Sequence, residues 1–206
     1  GHVGETRSFS ESDRDYYHLV YRGERGLLSA TVTGLPTMEL KLEVYDGAGT
    51  RVAESHSDGK GDGAELPNVR LVPGDYYVGV RELWVSGKPA SSDPVNWYSL
   101  TVTFGPHPPL TESEPNDSVA DAVVLACNQP TKTKAFFSSL DDVDHFVICP
   151  ELAKGDKVKL EITHGDQVDF KAVTLPPGAS LGENGTLPPG AKVVDHGASD
   201  AHEPAE

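Results

Sequence analysis

Run after run of this chain places apolar side chains at every second position, and no stretch before residue 105 repeats convincingly at helical spacing. Leu40-Lys41-Leu42-Glu43-Val44-Tyr45 is the clearest case, and Asp46-Gly47 then signals a turn. Leu28-Ser29-Ala30-Thr31-Val32 alternates as cleanly. After Leu71-Val72-Pro73-Gly74, Tyr76, Val78 and Val80 fall on one side of a strand and Tyr77 on the other. Trp97 to Phe104 alternates again, Tyr17 to Tyr21 more weakly, and Arg51-Val52-Ala53 is a short extended run. A period of two is the spacing of a strand with one face buried. Ser57 to Gly63 is glycine-rich and reads as a mobile turn, and Ser118 to Ala122 has room for one helical turn. The 21 glycines and 16 prolines among 206 residues agree with short strands joined by many turns. The expected class is all-β.

The second half restarts the first. Asp15-Tyr16-Tyr17-His18-Leu19 lines up with Asp144-His145-Phe146-Val147-Ile148, and Gly26 with Gly155 at the same offset. With one inserted residue, Leu28, Ala30, Val32 and Thr33 match Val158, Leu160, Ile162 and Thr163. Such self-similarity marks a repeated module. The expected organisation is one module over residues 1–105, a Pro/acidic linker and lead-in strand over 106–118, and a second module over 119–206. The second copy reads as incomplete. Beyond Val173 the chain is Pro/Gly-rich, without a counterpart of Gly74-Asp75-Tyr76-Tyr77-Val78, and it ends in a polar tail.

A formal charge of -15 argues against nucleic acid and anionic membrane as partners, and no apolar run approaches membrane-spanning length. The two cysteines, Cys127 and Cys149, each close a short apolar run. Their even number and matching positions favour a disulfide, which would close a loop of about two dozen residues, contribute about 3 kcal/mol and imply an oxidising compartment. Two buried thiols are the alternative.

The linker carries the densest chemistry. Glu112, Glu114, Asn116 and Asp117 fall within six positions, directly after Gly105-Pro106-His107-Pro108-Pro109. The first three are spaced by two, so an extended backbone aims them the same way, and Pro115 forbids a helix. Composition alone reads the run as a solvated acidic linker. Carboxylates this close repel unless a cation sits among them, and a second cluster, Asp141-Asp142-Val143-Asp144, lies about one hairpin downstream.

The segment Glu112-x-Glu114-Pro115-Asn116-Asp117-Ser118, followed by Asp141-Asp142-x-Asp144-x-Phe146, resembles the bacterial pre-peptidase C-terminal domain family. That family includes the collagen-binding domains of secreted collagenases. The first half is similar from Asp13-x-Asp15-Tyr16-Tyr17 through Val44-Tyr45-Asp46-x-x-Gly49 and Gly74-x-Tyr76-Tyr77-Val78-x-Val80 to Tyr98-x-Leu100-x-Val102. The resemblance implies two tandem jelly-roll-like β-sandwich modules accompanying a secreted or cell-surface protein, periplasm included. It also implies calcium held by Glu112, Glu114, Asn116, Asp117, Asp141 and Asp144. The first copy departs from the pattern: it offers Asp13 and Asp15 with Ser12, and any acidic lead-in segment would precede residue 1, so the resemblance carries no ligand set over to it.

Catalysis is not expected of this chain. Its eight histidines form no His-Glu-x-x-His motif, and there is neither a Gly-x-Ser-x-Gly elbow nor a phosphate-binding glycine loop. Tyr16, Tyr77, Trp84 and Trp97 are candidate ligand-face aromatics for an extracellular protein or polysaccharide polymer. The alternative for the tryptophans is that they cover an open end of the sandwich. Two functions follow: a calcium-stabilised accessory or targeting module with a covalently linked peptidase domain, or a structural spacer of an envelope or matrix protein. An exposed aromatic patch beside basic residues such as Arg81 or Lys88 would favour the first.

Overall fold

The computed structural model describes residues 1, 3–4, 12–108, 111–125, 131–137, 142–148, 161–163, 170–176, 178–182 and 186–196. Among them there is no helix, and the fold is all-β. The chain divides into two compact units, Gly1–Pro150 and Glu151–Glu206. Residues 106–118 lie inside the first unit. Cys127, Cys149 and Asp141 fall outside the described residues, as do Gly155, Val158 and Leu160 of the repeat.

In chain order the first unit contains β1 (Arg14–Tyr21), β2 (Gly26–Val32), β3 (Leu40–Asp46), β4 (Arg51–His56), β5 (Ala64–Leu71), β6 (Gly74–Glu82), β7 (Leu100–Gly105), β8 (Val123–Leu125) and β9 (Phe146–Ile148). The second contains β10 (Phe170–Thr174) and β11 (Lys192–His196), an antiparallel pair. In the first unit a four-stranded antiparallel sheet, β1-β6-β3-β4, packs on a three-stranded one, β5-β2-β7. Leu28, Ala30 and Val32 of β2 meet Leu40, Leu42 and Val44 of β3 and Val78 and Val80 of β6 in one buried core. This β-sandwich follows from the alternation: one residue set per strand is withdrawn from water, and the facing sets interdigitate. The β3–β4 turn is set by Asp46, whose Oδ1 accepts the N–H groups of Ala48 and Thr50 at 2.9 and 2.8 Å, while Gly49 takes a positive φ of 83°.

Sequence periodicity misses β5, and the reason is local. Pro67 and Asn68 break the alternation of Ala64 to Leu71, and opposite them the register with β2 slips between Leu28 and Ala30. Two residues of β5 therefore face one of β2, which is a bulge, and Asn68 occupies left-handed backbone at φ 58°. Proline is tolerated because β5 is the edge strand of its three-stranded sheet. Asn68→Gly is expected to be nearly neutral, whereas Asn68→Val should cost about 1–2 kcal/mol, read by denaturant unfolding in chelator. Ser118 to Ala122 forms a turn rather than a helix: Asp121 N–H donates to Ser118 O at 3.1 Å, and Ser118 Oγ to Asp121 Oδ2 at 2.7 Å. The segment has no room to propagate one.

Candidate metal centre

The acidic linker is not solvated. Glu112, Glu114 and Asn116 are 1%, 2% and 0% exposed. The bulged edge of β5 explains why the segment is extended there. Glu114 makes a parallel bridge to Val69, donating its N–H to Asn68 O at 3.0 Å and accepting the Arg70 N–H at 2.7 Å. Upstream, Thr111 bridges Lys134, and Glu112 N–H donates to Lys134 O at 3.2 Å. Downstream, Asn116 O accepts the His145 N–H at 3.2 Å, which draws the chain just after Asp144 against the linker. The Glu114–Pro115 peptide is cis.

This scaffold brings the carboxylates together in two overlapping sets. Ligand atoms of Glu112, Glu114 and Asp144 all lie within 4.8 Å of one another, and so do those of Glu114, Asp117 and Asp142. Glu114 is common to both. Asn116 lies among them, its Nδ2 donating to Asp144 Oδ1 at 2.8 Å and to Glu112 Oε1 at 3.3 Å. Of the six residues implied as ligands, the structure gathers Glu112, Glu114, Asn116, Asp117 and Asp144. Asp142, absent from that set, completes the second group. Its signal was its place two residues before Asp144, the spacing that puts strand side chains on one face.

The electrostatics are those of a site short of positive charge. Burial, then the charge of Asp144, pushes the Glu112 carboxyl up to about 8. Burial, then the charges of Asp142 and Glu112, does the same to Glu114. Asp144 rises to about 6, chiefly through burial, although the Asn116 amide offsets part of it. Two buried oxygens, Glu114 Oε1 and Asn116 Oδ1, have no hydrogen-bond partner among the described residues. Buried acceptors are normally satisfied, and an orphaned pair beside several carboxylates fits a hard, oxygen-seeking cation. The carbonyl of His145 accepts the Val123 N–H at 2.9 Å, which ties the chain after Asp144 to β8.

The first copy's acids are held differently. Asp15 accepts the Tyr98 hydroxyl, which is also 2.8 Å from that of Tyr17, and Asp13 Oδ2 accepts Gly4 N–H at 3.1 Å. Hydroxyl and amide donors thus serve these carboxylates.

The outer face of the four-stranded sheet carries a second feature. Tyr16 of β1 and Tyr77 of β6 lie there, joined by Tyr45 and His18, which the sequence does not mark as ligand-face residues. Tyr16 meets Tyr45 edge to face at 5.9 Å, and Tyr77 stacks on His18 at 5.0 Å. Gly79 leaves the space: a Cβ there would stand 3.1 Å from the Tyr16 ring. Beside the rings, buried Glu43 is gripped by Arg81, Nε to Oε2 at 2.9 Å and Nη2 to Oε1 at 3.0 Å. Trp84 lies apart, after β6, and lines a cavity of about 590 Å³ with Lys41, Glu54 and His56. Trp97, 71% exposed, stands in the loop before β7.

Neither the scan against protein-family models nor the search of curated proteins finds a match to this chain.

Proposed function

We propose that this chain is a non-catalytic, calcium-stabilised accessory module of a secreted or cell-surface bacterial protein. In this reading it consists of tandem jelly-roll-like units akin to pre-peptidase C-terminal domains and accompanies a peptidase domain. The observation that carries the reading is the pair of orphaned oxygens, Glu114 Oε1 and Asn116 Oδ1, buried among Glu112, Asp117, Asp142 and Asp144. Glu112, Glu114, Asp117, Asp142 and Asp144 would hold the ion, with the Asn116 amide oxygen as a neutral donor. All are oxygen ligands, which favours calcium over softer metals. The ion would supply the positive charge that these groups lack and pin the linker to the sandwich.

The targeting role is supported by the exposed ring of Tyr16 and the partly buried rings of Tyr45 and Tyr77 on the same sheet face as Arg81, an aromatic patch with a basic neighbour. Pull-down of the chain on collagen and on polysaccharides, with calcium and with chelator, tests it. Capture that fades with Tyr16→Ala supports a polymer-binding module. Absence of capture on every polymer supports the spacer reading.

A pH dependence follows from the raised carboxyls. Glu112 and Glu114 titrate near 8 in the metal-free fold and near their ordinary 4.5 in the unfolded chain, so their protonated forms are favoured by folding. The metal-free protein is therefore expected to lose stability as pH rises from about 4.5 to about 8. Calcium must displace those protons, so its apparent affinity should fall about tenfold per pH unit, per proton released, below pH 8. Thermal melts with calcium and with chelator at pH 6 and pH 8 check both signs.

A further inference from the structure

We infer that Arg70 is a positioning residue of the cation site, holding Glu114 and the turn after Asp117 in place without donating a ligand. The inference rests on the calcium reading above.

The arrangement begins at the bulge in β5. With Asn68 in left-handed backbone, its N–H turns to Ser29 Oγ at 3.4 Å, and its carbonyl receives Glu114 N–H. The next residue but one, Arg70, then grips Glu114 from the other side. Its main-chain N–H meets Glu114 O at 2.7 Å, and its Nη2 donates to Pro115 O at 3.0 Å. The same guanidinium stands 3.7 Å from Asp121 Oδ1, and Asp121 closes the turn on Ser118. One side chain thus touches both the carbonyl that follows Glu114 and the turn that follows Asp117. A planar fork with several fixed donors suits that double reach, and an ammonium on a flexible stem does not.

The charge of Arg70 makes the point sharper. A cation beside a calcium site opposes the ion, so electrostatics alone would make its removal tighten binding. Positioning predicts the opposite sign, because Glu114 is shared by both donor sets and its freedom would loosen each. Groups that orient metal ligands change affinity on the order of 10–100-fold when removed. The coupling is reciprocal: an ion that fixes Glu114 also fixes the β5 edge that holds it.

The test is calorimetric titration of calcium, at one ionic strength, into chelator-treated wild-type, Arg70→Ala and Arg70→Lys proteins, with melting temperatures in chelator. The inference expects Arg70→Ala to weaken calcium about tenfold or more, with Arg70→Lys between it and wild type. It expects metal-free melting temperatures to change little, since the ion pair with Asp121 is long at 3.7 Å and partly exposed. Unchanged or tighter binding in Arg70→Ala, with wild type binding normally, overturns the inference alone. Absence of binding by wild type overturns it together with the calcium reading. If Arg70→Ala does not fold, Arg70→Lys decides: affinity equal to wild type overturns the inference, and a clear loss supports it.

Discussion

Replacing Glu114 by glutamine is expected to abolish the calcium-dependent rise in melting temperature, while leaving the metal-free protein as stable as wild type or more so. Among the described residues Glu114 is the carboxylate common to both donor sets, and its Oε1 is buried without a partner there. In the absence of an ion it is a cost: burial and the charges of Asp142 and Glu112 hold its carboxyl far above the usual carboxylate range. A neutral amide removes that cost and keeps the shape. It also removes the charge on which binding depends. With calcium at a hundred times Kd, the wild type should gain about 2.7 kcal/mol. For a cooperative unit the size of Gly1–Pro150, that is a rise of about 5–10 °C. The variant should gain almost none. The opposite signs in the two conditions separate loss of a ligand from general damage.

The second large effect concerns the outer sheet face. Glu43 is 2% exposed, and burial alone would push its carboxyl up. The bidentate Arg81 guanidinium, with Tyr45 and Lys41, instead holds it below its ordinary value of 4.5. Arg81→Ala leaves that charge in the sheet with Tyr45 and the more distant Arg51 at 3.4 Å and Lys41 at 3.9 Å. The expected loss is about 3 kcal/mol, the size typical of breaking a buried pair from one side. Glu43→Gln combined with Arg81→Met should recover much of it, since the penalty belongs to a buried charge that has lost its bidentate partner. Because the folded Glu43 carboxyl lies lower than the unfolded one, its contribution is present above the ordinary carboxylate range and is lost as pH falls below it. Denaturant unfolding of the single and double variants at neutral pH and at pH 3 reads both effects.

Strands β2, β3 and β6 were legible because each buries one face, and burial writes itself into the sequence as alternation. In β3, Leu40, Leu42 and Val44 are fully buried, whereas Lys41 and Tyr45 are only partly buried. β5 was not legible, because Pro67 and Asn68 interrupt the period at a bulge, and a bulge is settled by the partner strand rather than by local preference. The same divide runs through the candidate site. Glu112, Glu114 and Asn116 could be grouped from spacing alone, and Asp144 from the family resemblance. Their burial could not, because it depends on the β5 edge that the alternation concealed. Asp142 lay in plain view within Asp141-Asp142-Val143-Asp144, but which acids of that run turn inward depends on where the chain meets Asn116. Tyr45 and His18 were missed for a related reason. Their neighbours Tyr16 and Tyr77 belong to other strands, and register between strands is a tertiary property.

The most direct measurement is calorimetric titration of calcium into chelator-treated protein at pH 8, beside Glu114→Gln. The account predicts saturable binding of one or two ions by the wild type, with Kd on the order of 10⁻⁴ M or tighter, and none by the variant. No saturable binding by the wild type at millimolar calcium, or equal binding by both proteins, would contradict it.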